Sequence, residues 1–183
     1  MKNFLIIILL FIFNSAFTQE MTLDWQSCYG SEGAGDNSFW ALENMPNGNI
    51  IGCVNVYGEN SAFTNYHGNY DAWVLIFDLE GNIINELCFG GNEYDIFVDI
   101  EIFEDNIFFY GITYSIDGDA QSPSINDNGD LWVVKTDFNL NILWERKYGC
   151  LGTILSKSAK ATPSGGLVFS ADFFDEGGGD ISN

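Results

Sequence analysis

The chain repeats itself at a fixed distance. Asp71, Trp73, Val74 and Asp78 return as Asp130, Trp132, Val133 and Asp137, each displaced by 59 positions. At the same displacement Gly52 returns as Gly111 and Asp36 as Asp95, while Tyr29-Gly30 returns as Phe89-Gly90 and then as Tyr148-Gly149, displaced by 60 and then 59. Trp25 and Trp144 hold matching positions two units apart, with Asn85 between them. A fixed period of this kind marks a supersecondary unit that cannot bury its own faces and must stack on neighbours. Within residues 20–183 the spacing predicts units at about 36–90 and 95–149 and an incomplete third at 154–183.

Each unit divides into four short apolar segments separated by turn residues. In the first these run near Asn37 to Glu43, Asn49 to Tyr57, Ala72 to Phe77 and Asn82 to Phe89. In the second, Ile107 to Tyr114, Leu131 to Thr136 and Asn141 to Tyr148 follow the same plan. Met45-Pro46-Asn47-Gly48 and Leu79-Glu80-Gly81-Asn82 supply Gly or Asn where a turn requires positive φ. The chain holds 16 Phe, 8 Tyr, 5 Trp and 20 Gly against 3 Pro, which suits strands rather than helices. Trp73-Val74-Leu75-Ile76-Phe77 is apolar on both faces of the pleat, so its sheet must be covered on both sides. These features predict an all-β chain, a partial β-propeller of four-stranded antiparallel blades with about two complete blades and part of a third. Leu23 to Tyr29 reads as an isolated fourth strand.

Lys2, the apolar run Phe4 to Phe13 and the small-residue stretch to Thr18 have the layout of a secretory signal peptide over residues 1–19. The run is about ten residues, half the ~20 needed to span a bilayer, so no membrane span is expected after cleavage. A secreted or cell-surface location follows. With 26 acidic residues against 6 basic ones, the net charge is −20. Lys135, Arg146, Lys147, Lys157 and Lys160 are scattered among carboxylates, which excludes a nucleic-acid footprint.

The segments GDLWVVKTDFNLNILWERKYG and YDAWVLIFDLEGNIINELCFGG, with the loop SIDGDAQ, resemble the repeats of secreted bacterial propeller-like proteins with roughly 60-residue units. Many of those proteins carry a C-terminal sorting domain for type IX secretion. The resemblance covers nearly all of residues 20–183 and implies export and a repeat scaffold, with no catalytic set to carry over. Fewer than three units are present where closed propellers have four to eight, so the chain is expected to be a fragment of a longer protein. The Asp137 to Trp144 spacing is similar to that of quinoprotein blades, but it is one residue short and lacks their Thr-Gly, so no quinone is expected.

His67 is the only histidine and lies in the loop TNYHGNYD, with no paired nucleophile nearby. No CxxC or HExxH spacing marks a zinc site. Cys28 and Cys88 occupy equivalent positions in successive units, too far apart to bond, and Cys53 falls inside a strand. Asp117 and Asp119 flank Gly118, with Asp127 beyond, and such an oxygen-rich loop can hold Ca²⁺, although the spacing is not that of an EF-hand. Asp78 and Asp137 read as strand-end residues that bond to turn amides. Two functions follow. The first is a non-enzymatic scaffold that binds a glycan, a peptide or another cell-surface partner through a loop face carrying Tyr66, His67 and Tyr70 of one unit and Asp117, Asp119 and Asp127 of the next. The second is a polysaccharide hydrolase that uses two carboxylates, for which no enzyme signature is present.

Overall fold

The computed structural model describes residues 26–27, 29, 38–57, 63–124, 128–149 and 153–174. Residues 1–19, read above as a signal peptide, and Cys28, Asp36, Asp127 and Cys150 lie outside these. The described residues are all-β: ten strands and no helix, hence no helix long and apolar enough to cross a membrane.

Sheet one contains β1 (Ser38–Asn44), β2 (Ile50–Tyr57), β3 (Tyr70–Phe77) and β4 (Ile83–Phe89), hydrogen-bonded in chain order. Sheet two repeats the order with β5 (Asp95–Phe103), β6 (Asn106–Thr113), β7 (Asp130–Thr136) and β8 (Ile142–Tyr148). A hairpin of β9 (Thr153–Ala161) and β10 (Leu167–Phe174) follows. All these pairings are antiparallel.

The turns follow the sequence logic. Asp78 accepts hydrogen bonds from the amides of Glu80 (3.1 Å) and Asn82 (2.8 Å), and Asp137 from those of Asn139 (2.9 Å) and Asn141 (3.0 Å). Each thereby closes the hairpin after the third strand of its sheet. Gly81 holds φ 83° in the first turn, whereas Leu140 holds φ 67° in the second. That conformation strains a branched residue. Leu140 is buried in the core, and its packing offsets the cost.

Sheets one and two share a core. Ala72, Val74 and Ile76 of β3 point into it with Phe89, and Phe97, Phe109, Trp132 and Val134 meet them from sheet two. Phe97 stacks on Phe109 at 4.9 Å and on Trp132 at 5.0 Å. The alternate residues of β3, Trp73, Leu75 and Phe77, form a second cluster on the far face of sheet one with Val54, Val56 and Cys88. On the far face of sheet two, Tyr110, Leu131 and Val133 pack against Ala159, Leu167 and Phe169 of the hairpin. The third strands are thus apolar on both faces because each face meets a different partner. Fully burying one large apolar side chain contributes ~1.5–3 kcal/mol, so these strands dominate the packing.

Trp73 and Trp132 occupy the same place in their sheets. Each lies on the face away from the following unit, and each donates its indole N–H to a glutamate of the adjacent strand, Glu86 at 2.6 Å and Glu145 at 3.1 Å. Strand β5 runs beside β1 on one side and β9 on the other. At the second of these seams Asp99 accepts from the Ser158 hydroxyl (2.8 Å) and the Ala159 amide (2.8 Å). Glu101 accepts from the Ala161 amide (3.1 Å) and from Lys160.

One sequence equivalence fails in the structure. A bulge interrupts β1 between Phe39 and Ala41, opposite Val54 and Cys53, and another interrupts β5 between Phe97 and Asp99, opposite Gly111 and Tyr110. Gly111 therefore occupies the ladder position of Val54, and Gly52 that of Phe109. Gly111 is required where it stands, since a Cβ there would collide with the backbone of Ile96. A Cβ on Gly52 would meet side chains, Leu42 at 2.7 Å and Phe39 at 3.1 Å.

Candidate binding site

Three connections meet at one end of the two sheets: the β2–β3 loop, the β4–β5 link and the β6–β7 loop. Each loop is first tied to its own sheet. Thr64 donates to Glu86, and the Ser122 amide donates to Glu145 at 2.5 Å, so the glutamates that hold the tryptophans also hold the loops.

Buried carboxylates then join the loops together. Asp95, at the start of β5, accepts from Thr113, from the Ser115 hydroxyl (2.6 Å) and from the Gly91 amide (2.7 Å). Burial pushes its pKa above the usual carboxylate range. Asp71 is fully buried and accepts from the His67 amide at 2.7 Å and from the imidazole Nδ1 at 3.3 Å. Asp71 and Asp95 both close on Gly90, where a Cβ would lie 2.7 Å from one and 2.9 Å from the other. Across the seam His67 Nε2 is 3.7 Å from Asp119. The hydrogen bond from His67 to Asp71, aided by Asp119, raises the imidazole pKa, while burial raises that of Asp119. Lys147 enters from β8 and donates to the carbonyls of Ser115 (2.6 Å) and Ala120 (2.7 Å), and burial lowers its pKa.

A row of tyrosines runs along the same end of the sheets. Tyr57 stacks on Tyr70 at 4.5 Å, Tyr70 meets Tyr94 at 5.0 Å, and Tyr94 meets Tyr114 edge-on at 5.9 Å. The backbone sets this order: Tyr70 and Tyr94 form a parallel bridge, and the Tyr114 amide donates to the Tyr94 carbonyl at 2.9 Å. The row ends at a recess of about 360 Å³ lined by Tyr94, Ile96, Ile112, Tyr114 and Leu155.

The predicted site residues divide accordingly. His67 and Asp119 come together, and Tyr70 joins the row. Tyr66 turns away, donating to the Asn69 carbonyl at 3.0 Å and packing near Phe63. Asp117 accepts from the amide (2.9 Å) and side chain of Asn92, and Asp119 from the Gly90 amide and the Asn65 side chain, both at 3.4 Å. Among the described residues no group of three or more His, Cys, Asp or Glu side chains is arranged to hold a metal ion. Cys53 and Cys88 are buried thiols, with burial pushing the first up to about 12.

Tyr57, Tyr94 and Tyr114 escaped the sequence reading. Tyr57 ends β2 and Tyr114 directly follows β6, but they lie 57 residues apart, off the period used to align the repeats. No protein-family model matches the chain, and no curated protein matches it.

Proposed function

We propose that the chain is a secreted or cell-surface scaffold that binds a glycan or peptide and does no chemistry on it, its two sheets and hairpin being successive blades of a partial β-propeller. The stacking of sheet one, sheet two and hairpin, with β1, β5 and β9 side by side, supports the propeller reading. Export rests on the apolar segment at residues 4–13.

The observation that carries the binding role is the tyrosine row and the apolar recess at its end. Rings with an apolar body and a polar rim are suited to pyranose faces and to extended peptides alike. The hydrolase reading has less behind it: Asp71 and Asp95 converge, but both are fully buried and engaged with loop hydrogen bonds.

The test replaces Tyr57 and Tyr114 with alanine, both rings being about 40% exposed, and screens the protein on glycan and peptide arrays. Each change should weaken the best ligand by about tenfold, roughly 1.4 kcal/mol, with the melting temperature unchanged. A wild-type protein that binds nothing on either array, or a double variant that binds as well as wild type, removes the reading.

A further inference from the structure

The recess at the end of the tyrosine row has walls of one chemical kind. Tyr94, Ile96, Ile112, Tyr114 and Leu155 line its volume of about 360 Å³, a size that suits a small organic group. Tyr94 and Tyr114 meet at an interplanar angle of 84°, so their ring faces bound a corner that the three aliphatic side chains close. Gly129 fixes the second ring, since a Cβ there would lie 2.8 Å from Cε2 and Cζ of Tyr114. The only polar atoms that the lining side chains offer are the two phenol oxygens. A neutral sugar or a primary amine seated in the recess would leave hydroxyl or N–H groups without partners.

The charge around the recess has one prevailing sign. Asp95 lies in sequence between the lining residues Tyr94 and Ile96, and Asp130 pairs in register with Thr113, which lies between Ile112 and Tyr114. Both aspartates are buried, and Oδ1 of Asp130 has no hydrogen-bond partner among the described residues. Glu93, exposed, precedes Tyr94. The described lysines and arginine are engaged elsewhere. Lys135 lies 5.2 Å from the centre of the Phe108 ring and Arg146 5.3 Å from that of Trp144, so the fold already sets cations over rings. Lys147 is held by the Ser115 and Ala120 carbonyls, and Lys160 by Glu101. Lys157 is neutralised at 2.9 Å by Asp172, the ladder partner of Leu155. None of these bases lines the recess.

We propose that the recess binds a quaternary ammonium group, held against the faces of Tyr94 and Tyr114. The inference rests on the reading of the tyrosine row as a binding surface and names the ligand chemistry at its end. An aromatic face carries the negative part of the ring quadrupole and attracts a cation, most strongly where water is excluded. A quaternary ammonium has no N–H to satisfy, so an apolar wall deprives it of no hydrogen bond, and its methyl groups pack on Ile96, Ile112 and Leu155. The carboxyl groups of Asp95 and Asp130, one residue removed from the lining, add a field that favours positive charge.

The experiment titrates the whole chain with choline and with 3,3-dimethyl-1-butanol, which has the same shape with carbon in place of the charged nitrogen, and follows the methyl signals of each by nuclear magnetic resonance. Choline should bind about tenfold more tightly than the alcohol, and Tyr114→Leu should lower its affinity by about tenfold. Displacement of choline by a trimethyllysine peptide would uphold the site with a polypeptide as carrier of the group, and displacement by phosphocholine alone would uphold it with a headgroup as carrier. Equal affinity for the alcohol, no choline binding at about 50 mM, or undiminished choline binding in Tyr114→Leu would each overturn the proposal. The comparison of choline with the alcohol uses the wild-type chain, so it decides even where the variant does not fold. Array ligands without an ammonium group that bind through Tyr57 and Tyr114, in a chain that ignores choline, would overturn this inference and leave the binding role of the row standing; a chain that binds neither would lose both.

Discussion

His67 stands between two carboxylates contributed by different loops, and its charge decides how tightly those loops are joined. A group whose pKa is raised on folding stabilises the folded chain most below its unfolded value, and the gain is lost as pH rises through the folded one. The unfolded imidazole value is about 6.5, so the link is at full strength below that and fades as pH rises through the higher folded value. Asp95 and Asp119, raised by burial, act in the same direction. Asp78 and Asp137, held low by their turn hydrogen bonds, act oppositely, but only once pH falls through their lowered values. The melting temperature should therefore rise as pH is lowered from 8 to 5.5. In His67→Gln, which keeps a hydrogen-bonding side chain without the charge, the rise should be smaller by about 2–4 °C, equivalent to ~1 kcal/mol. Identical pH profiles for the two proteins would show that the imidazolium takes no part.

At the level of strands the decisive quantity is register. Gly111 faces backbone where Gly52 faces the movable tips of Leu42 and Phe39, so two glycines paired by sequence differ in what they tolerate. Gly111→Ala should destabilise by about 3 kcal/mol or more and Gly52→Ala by under about 1, as read from denaturant midpoints. Equal costs would contradict the ladder assignment. The example also shows how far the sequence could be read. Strands β3 and β4 map onto β7 and β8 at the sequence period because Trp73, Asp78 and Phe89 have direct counterparts in Trp132, Asp137 and Tyr148. Strands β2 and β6 are displaced by 57, because the loop that follows is two residues longer in the second unit. A single period hides that shift, and with it the equivalence of Tyr57 and Tyr114. The meeting of His67 with Asp119 was hidden for another reason: it depends on how two loops of different units approach, which no local pattern encodes.

Across the whole molecule, unequal neighbours imply unequal stability. Sheets one and two share one aromatic core and should open together, whereas the hairpin presents a half-exposed β10. Native-state exchange should find β10 amides opening at lower free energy than those of β6, and equal values would mean a single cooperative unit.

The seam between β5 and β9 has its own mechanical character. Within each sheet, neighbouring strands are locked by main-chain ladders that tolerate little sliding. Between these two strands the grip is exerted by the carboxylates of Asp99 and Glu101, at the end of short rotatable arms. Such a joint can change its angle by turning side chains while the ladders on either side stay intact.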